Sequence, residues 1–257
     1  MDIIGKIYKD YFCEINQLDG NSHLLDKHSF GGVYNLLKNW NSLSRYLQNL
    51  EFNFYLISDC QIEIKEQIDI QILNSNESLP KALIFNFDGQ RTSFVLDDYP
   101  IKIPPFEQKS DFLLIYYGDK LIPYKELSYK KIFIDTAGNN YNDLINLSEF
   151  DYPKESLVSI SSELLTEELI DLYVNKKQYT IISHCPKETY VINKDYSEKI
   201  INKFYQSLDR NNKSINVTGL GDKFIFIVAF NFLYLRKDLF ESIKRSQKIL
   251  SEIIFDK

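Results

Sequence analysis

The sequence predicts an α/β fold in which helices cover both faces of a mostly parallel central sheet, with a small β-rich appendage. Four short apolar segments in the second half of the chain have the composition of buried strands: Phe112–Tyr117, Lys131–Asp135, Leu157–Ile160 and Thr180–Ser183. A helical segment, Thr166–Asn175, lies between the last two and has two glutamates in its first turn. Strands that alternate with helices are typical of a parallel sheet covered on both faces. The 257 residues, of which 44% are hydrophobic, suffice for one large domain with such a core.

The first half of the chain contributes two strands, a helix and the appendage. Asp2–Tyr8 and Phe52–Ile57 have the pattern of strands, and Val33–Leu50 repeats large apolar residues at helical spacing. From about residue 63 to residue 97, short runs alternate apolar and polar residues. The turn-forming segments Asn74–Ser78 and Asp88–Gly89 separate these runs, so the pattern predicts hairpins.

Charge and composition exclude several classes of function. The net charge of −6 argues against a nucleic-acid binder, which normally carries a basic patch. The three cysteines, Cys13, Cys60 and Cys185, are scattered, which fits reduced thiols better than a disulfide framework. The first residues lack the features of a signal peptide, and the most apolar stretch, Phe224–Leu235, is too short to span a bilayer. We therefore expect a cytoplasmic protein that binds neither nucleic acid nor a membrane.

A glycine motif before an apolar helix is the candidate for chemistry. In Thr218-Gly219-Leu220-Gly221-Asp222 the two glycines let successive backbone N–H groups point into one concavity. The helix predicted over Asp222–Leu235 adds the positive end of its dipole, which suits a phosphoryl group. Asp222 could accept the proton of an attacking hydroxyl. Taken alone, the motif favours a simple turn in which Asp222 caps a helix. A second helix, Lys237–Phe255, is amphipathic.

Four motifs in a fixed order make the sequence resemble the PfkB, or ribokinase-like, family of carbohydrate kinases. The family's D-T-x-G-A-G-D-x-F is approached by Asn216–Phe224, and its opening G-x-x-x-x-D is matched by Gly5 and Asp10. Its G-G-x-x-x-N is approached by Gly31, Gly32 and Asn35, and its D-G-x-R-T hairpin is matched by Asp88–Thr92. The four matches spread over most of the chain.

The resemblance implies a fold, a reaction and a set of site residues. The chain would be a single ribokinase-like domain, residues 1–257, with a lid formed by about residues 63–97 and the segment 10–30. That lid would cover a sugar or sugar-like substrate and serve as the contact of a homodimer. ATP would be the phosphoryl donor and Mg²⁺ the metal. The implied catalytic residues are Asp222, as base, with Gly219 and Gly221; the implied substrate-binding residues are Asp10, Gly31, Gly32, Asn35 and Arg91.

The nucleotide half of the family pattern is altered in this chain. The family's T-x-G-x-x-G loop aligns with Ser183–Glu188, where both glycines are missing and a proline removes an N–H. Glu188 would also bring a negative charge toward a phosphate.

The resemblance implies Ser183 and Thr218 as the nucleotide contacts. Of the family's N-x-x-E motif, which organises magnesium, this sequence retains only the glutamate, Glu163.

Two interpretations therefore stay open. In the first, the protein is an active, divergent sugar kinase. In the second, it is a degenerate relative that binds a sugar-like ligand or a protein partner without turnover.

Overall fold

A nine-stranded, mostly parallel sheet organises the part of the chain that the structure describes. The structure, a computed structural model, describes residues 1–15, 22–37, 40–47, 51–58, 69–74, 81–87, 90–96, 101–116, 121–122, 128–136, 140–185, 187–202 and 220–255. Of these residues, no helix is long and apolar enough to cross a membrane.

Strands and helices alternate in the second half of the chain, as the sequence predicts. The strands are β1 (Asp2–Ile15), β2 (Ser22–Gly32), β3 (Asn53–Ser58), β4 (Asp69–Asn74), β5 (Lys81–Phe87), β6 (Gln90–Leu96), β7 (Ile101–Lys102), β8 (Phe112–Tyr116), β9 (Leu121–Ile122), β10 (Lys131–Asp135), β11 (Leu157–Ser159), β12 (Thr180–His184), β13 (Glu188–Ile192) and β14 (Ser197–Ile201). The helices are α1 (Tyr34–Leu37), α2 (Trp40–Ser44), α3 (Tyr141–Leu147), α4 (Glu167–Ile170), α5 (Leu220–Ala229) and α6 (Leu239–Phe255). π-Helical turns continue α4 over Asp171–Lys176 and α5 over Phe230–Tyr234.

The central sheet has the order β14-β13-β12-β11-β10-β8-β1-β3-β4. The pairs from β12 to β4 are parallel, whereas β13 and β14 form an antiparallel hairpin at one edge. Because the strands from β12 to β4 run in the same direction, their carboxyl ends form a single edge. In open α/β sheets, ligands bind at this edge.

Helices cover both faces of the sheet, which makes three layers. On one face, α1, α2, α5 and α6 bury a cluster that includes Leu36, Leu43, Phe226 and Ile243. On the other face, α3, α4 and the turn after α4 bury a cluster that includes Leu144 and Tyr173. A strand covered on both faces is apolar at nearly every position, and this explains the uninterrupted apolar segments of the sequence.

The first strand belongs to two sheets. Residues 2–6 of β1 pair with β3 in the central sheet, and residues 9–14 pair with β5 beyond the carboxyl edge. On the other side of β1, residues 7–15 pair with β2. The strand β5 in turn pairs with β6 as an antiparallel hairpin. We call these four strands, β2, the second half of β1, β5 and β6, the lid. Since β1 enters the lid from the carboxyl edge, the lid begins where the candidate site lies.

Three details differ from the sequence-based expectation. The strand predicted to end at Tyr8 continues to Ile15, because β2 and β5 pair with its second half. The segment 69–74, inside the predicted lid range 63–97, instead pairs with β3 at the edge of the central sheet. Within the predicted helix Val33–Leu50, α2 ends at Ser44, and residues 45–47 form turns in which the N–H groups of Tyr46 and Leu47 donate to the carbonyls of Leu43 and Ser44.

At the amino edge of the sheet, one buried carboxylate joins several segments. Asp2 is fully buried. It accepts hydrogen bonds from Asn53 Nδ2 (2.7 Å), the backbone N–H groups of Lys109 (3.0 Å) and Ser110 (3.2 Å), and Tyr129 Oη (2.8 Å). Burial and the neighbouring Asp2 raise the pKa of Tyr129 above its ordinary value, so that its hydroxyl stays a donor. All four groups are donors, and an ionised carboxylate only accepts hydrogen bonds. This explains why residue 2 is acidic.

We predict that Asp2→Asn lowers the free energy of unfolding by about 3 kcal/mol, because an amide turns one acceptor oxygen into a donor that faces other donors. Urea unfolding measures the change. Asp69→Asn is the matched control: Asp69 pairs with Lys109 on the surface (2.6 Å), and an exposed pair contributes about 1 kcal/mol or less. Equal losses in the two variants would contradict an organising role for Asp2.

Candidate functional site

Buried polar side chains mark the carboxyl edge of the sheet. Six polar residues lie at or near the points where strands of the central sheet reach this edge, and all six are almost fully shielded from solvent. They are Lys6, Ser58, Asp135, Thr136, Ser159 and Ser183. Burying polar groups costs free energy unless partners compensate for it. Their collection at the edge where α/β proteins bind ligands makes this edge the candidate site.

Asp222 lies at this edge, in the first turn of α5, and is only 8% exposed. Two contacts from different parts of the chain reach it. Asn35 Nδ2, in α1, donates to Asp222 Oδ2 (3.2 Å), and Tyr116 Oη, at the end of β8, donates to the Asp222 backbone carbonyl (2.7 Å). The side chain and the backbone of Asp222 are therefore each fixed by a separate hydrogen bond.

Tyr116 remains a donor over the whole physiological range. Burial raises the pKa of Tyr116 well above its ordinary value, and the charges of Asp222 and Asp135 raise it further. Its hydroxyl therefore keeps its proton and its bond to the carbonyl of Asp222. Asp135 ends β10 beside Tyr116 in the register of the sheet, which brings a second buried carboxylate to the same edge.

Gly5 makes room for Tyr116. A Cβ atom at Gly5 would lie 2.8 Å from Val33 Cβ, closer than real Cβ contacts, and 3.0 Å from Tyr116 Cβ, which is tighter than most of them. Close packing thus explains why the first residue of the G-x-x-x-x-D motif is glycine. A side chain there would clash with Val33 and press on Tyr116, the residue that holds the backbone of Asp222.

On the other side of α5, His184 lies against the start of the helix. Its ring packs on Phe224 with centroids 5.0 Å apart, and its Nε2 atom is 3.5 Å from the position that a Cβ at Gly221 would take. Burial lowers the pKa of His184 to about 4, so the imidazole is neutral at physiological pH. Gly221 itself is exposed, which leaves the backbone of the first turn open to a ligand.

The lid carries four of the residues that the resemblance implicates in substrate binding. Asp10 in β1 pairs with Ser29, and Gly31 and Gly32 in β2 pair with Tyr8 and Ile7. Arg91 lies in β6, the outer strand of the β5–β6 hairpin. Asn35 follows β2 directly in α1 and is the implicated residue that contacts Asp222. Gly219 and Thr218 lie outside the described residues. The binding roles of all of these residues stay predictions.

The altered loop joins the antiparallel strands β12 and β13, and two of its described residues, Cys185 and Glu188, are engaged in contacts there. The Cys185 N–H donates to the Glu188 carbonyl (2.9 Å). Glu188 pairs with Lys199 and accepts a hydrogen bond from Tyr190 Oη (2.6 Å), and these contacts, Lys199 first, hold its pKa below the ordinary value. The charge of Glu188 is thus compensated within the hairpin, which removes the expected conflict with a phosphate. Ser183, at the end of β12, is fully buried and its hydroxyl has no hydrogen-bond partner among the described residues.

Glu163 lies in the turn that follows β11, at the same edge of the sheet. It is exposed, and its carboxylate makes no hydrogen bond or ion pair with another described residue. No cluster of three or more His, Cys, Asp or Glu side chains suited to a metal ion is found in the described part of the chain.

Three residues of the site were not identified from the sequence: Tyr116, Asp135 and His184. Each is a polar residue at the last position of its strand. That signal is readable in the sequence, but its meaning depends on the order of the strands in the sheet, which places the ends of β8 and β10 beside each other.

Comparisons with known proteins identify the fold. No protein-family model and no curated protein matches the sequence. Among solved structures, a pyrophosphate-dependent kinase of the ribokinase family is 14% identical, with a TM-score of 0.62 over 98% of this chain and 94% of that chain.

Two further structures give the same result. Phosphofructokinase-2 from Escherichia coli, in complex with substrates and products, is 11% identical (TM-score 0.62, 98% of this chain and 92% of that one). The nucleoside kinase of Burkholderia thailandensis, in complex with inosine, is 11% identical (TM-score 0.62, 99% and 91%). The predicted ribokinase-like fold is thereby confirmed over nearly the whole chain.

We predict opposite effects for alanine at the two glycines of the site. Gly5→Ala should lower the melting temperature, since overpacking beside Val33 and Tyr116 costs about 1–3 kcal/mol. Gly221→Ala should keep or raise it, because the added methyl meets only an ordinary contact and alanine favours a helix. Differential scanning calorimetry of both variants makes the comparison. A melting temperature lowered as much by Gly221→Ala as by Gly5→Ala would contradict this packing account.

Proposed function

We propose that this protein is a PfkB-type kinase that transfers the γ-phosphate of a nucleotide, ATP, to a hydroxyl of a sugar or sugar-like substrate. The observation that carries the proposal is the placement of Asp222: a nearly buried carboxylate in the first turn of α5, fixed by Asn35 and, through its backbone, by Tyr116. The fold supports it, since the matching structures are of sugar and nucleoside kinases.

In the proposed reaction, Asp222 is the general base. The acceptor hydroxyl gives its proton to the Asp222 carboxylate while its oxygen forms a bond to the γ-phosphorus. The bond between that phosphorus and the bridging oxygen breaks, and ADP leaves with the electron pair. Phosphoryl transfer needs little covalent help, so positioning of the base and stabilisation of charge account for most of the catalysis.

The start of α5 is the proposed anion hole. The first N–H groups of a helix lack intrahelical partners, and the helix dipole adds positive potential there. Gly221 is exposed and has no side chain, so a phosphoryl oxygen can approach this backbone closely. Gly219 would continue the same concavity, and Thr218 and Ser183 would contact the nucleotide.

The lid is the proposed cover of the acceptor. Because β1 runs from the carboxyl edge into the lid, Asp10, Gly31, Gly32 and Arg91 belong to strands that rise from the edge where Asp222 lies. Asp10 and Asn35 would bind substrate hydroxyls. A homodimer through the lid and a cytoplasmic location belong to the same proposal.

Glu163 is the proposed magnesium residue. An exposed carboxylate without a described partner fits an ion that is held through its water shell. When bound, Mg²⁺ would neutralise charge on the phosphates of the nucleotide. Asp222 and Asn35 act on the acceptor and need no ligand bond to the metal.

One observation favours a second function, in which the protein binds a sugar-like ligand or a protein partner without turnover. The hairpin after β12 has no glycine, and its Cys185 N–H is already bonded to Glu188. This loop therefore offers a nucleotide fewer backbone donors than the family's glycine loop would.

We predict that thermal shifts separate the two functions. A ligand present at 100 times its Kd stabilises the native state by about 2.7 kcal/mol, which raises the melting temperature by about 5–10 °C for a chain of this size. The wild-type protein should respond to ATP with Mg²⁺ and to at least one member of a panel of sugars and nucleosides. A response to a sugar without any response to nucleotides would favour the binding protein.

We predict that Asp222→Asn lowers the rate of phosphoryl transfer by about 10²–10⁴-fold, because the amide cannot take the proton of the acceptor. The affinity for the acceptor that gives the largest thermal shift, measured by calorimetry, should stay within about threefold. Asp195→Asn is the control, since Asp195 is an exposed carboxylate in the neighbouring β13–β14 hairpin. If binding and transfer fall together in Asp222→Asn, the residue is structural.

A further inference from the structure

His184 occupies an unusual position for a histidine. It is the last residue of β12, its ring packs on Phe224, and its Nε2 edge faces Gly221 at the start of α5. The Nδ1 atom is shielded from solvent and has no hydrogen-bond partner among the described residues. Phenylalanine or leucine could pack on Phe224 without the cost of burying an imidazole nitrogen, so packing alone does not explain the histidine.

We propose that His184 binds an oxygen of the terminal phosphate of the phosphoryl donor through its Nε2–H group. This inference rests on the proposed function, and His184 is not among the residues that the family resemblance implicates. The imidazole would provide a hydrogen-bond donor at the same place where the family's glycine loop provides backbone N–H groups.

The loop after β12 offers few free backbone N–H groups, so a side-chain donor would replace what this loop lacks. The Cys185 N–H is used by the Glu188 carbonyl, and Pro186 has no N–H. The donor side of the site has therefore lost backbone groups, while the start of α5 keeps them. Nε2 lies next to Gly221, so that one oxygen could accept from the helix and from the imidazole together.

The protonation state of His184 decides what it contributes. Because burial keeps the ring neutral, a single proton is shared between the two nitrogens, and the ring adds a hydrogen bond rather than a charge. Only the form with the proton on Nε2 can donate to an anion beside Gly221. The form with the proton on Nδ1 would point a lone pair at that anion. Binding of a phosphate should therefore select the Nε2–H tautomer.

The ligand is a di- or triphosphate, and the test separates its two sources. ATP and inorganic pyrophosphate, each with Mg²⁺, are titrated by calorimetry into the wild-type protein, His184→Leu and His184→Gln. Leucine keeps an apolar contact with Phe224 but removes the donor, whereas the amide nitrogen of glutamine can stand where Nε2 does. We expect His184→Leu to bind the phosphate ligand about 10- to 100-fold more weakly, the range for a hydrogen bond to a charged group, and His184→Gln to stay within about threefold. Acceptor affinity should not change in either variant.

A second measurement does not depend on the variants or on turnover. Nitrogen-15 NMR of the histidine side chains reports the tautomer directly, and His184→Leu identifies the resonance among the three histidines. We expect the Nε2–H form in the presence of pyrophosphate or ATP.

The outcomes distinguish this proposal from the proposed function. Binding of pyrophosphate that depends on His184, without transfer to any acceptor, would support the role of His184 and refute the kinase. Transfer from ATP at an unchanged donor KM in His184→Leu would support the kinase and overturn the role of His184. An Nδ1–H tautomer in the bound state, equal losses of donor and acceptor affinity, or a wild-type protein that binds neither ligand at millimolar concentration would also overturn it.

Discussion

The hydrogen bond from Tyr116 Oη to the backbone carbonyl of Asp222 (2.7 Å) ties the end of a central strand to the first turn of the buried helix. It is helped by Gly5, since a side chain there would clash with Val33 and press on Tyr116. It also depends on the burial of Tyr116, which keeps the phenol protonated. With the backbone of the helix start held in this way, Asn35 can fix the carboxylate through a separate hydrogen bond. The position of the candidate base is thus set by packing between layers and not by the glycine motif alone.

Buried polar groups lie at both edges of the sheet. At the amino edge, the carboxylate of Asp2 is surrounded by donors and holds segments together, as a structural group does. At the carboxyl edge, His184 and Ser183 keep buried polar atoms without partners among the described residues. A fold tolerates such groups where a ligand can complete their hydrogen bonds. The unpartnered atoms of Ser183 and His184 are thus positions at the carboxyl edge where a ligand could complete a hydrogen bond.

The sequence was sufficient for the class of fold and for the chain order of the site motifs, because buried parallel strands and apolar helices leave long-range patterns. It could not show that β1 continues to Ile15, since that extension is stabilised by pairing with β2 and β5. Nor could it show that β4 joins the central sheet. Tyr116 and His184 were missed for a related reason: a polar residue at the end of a strand gains a role only through its neighbours in space. The sequence did locate the altered loop, but the compensation of Glu188 by Lys199 became visible only in the hairpin.

Phosphorus-31 NMR of the protein with ATP, Mg²⁺ and a pooled set of sugars and nucleosides tests the central claim most directly, since it follows the γ-phosphate itself. The account predicts that the γ-phosphate resonance of ATP declines while a phosphomonoester resonance grows in equal amount. Two results would contradict it: ATP that stays intact while an acceptor is bound, or ATP that is converted to inorganic phosphate with every acceptor recovered unmodified.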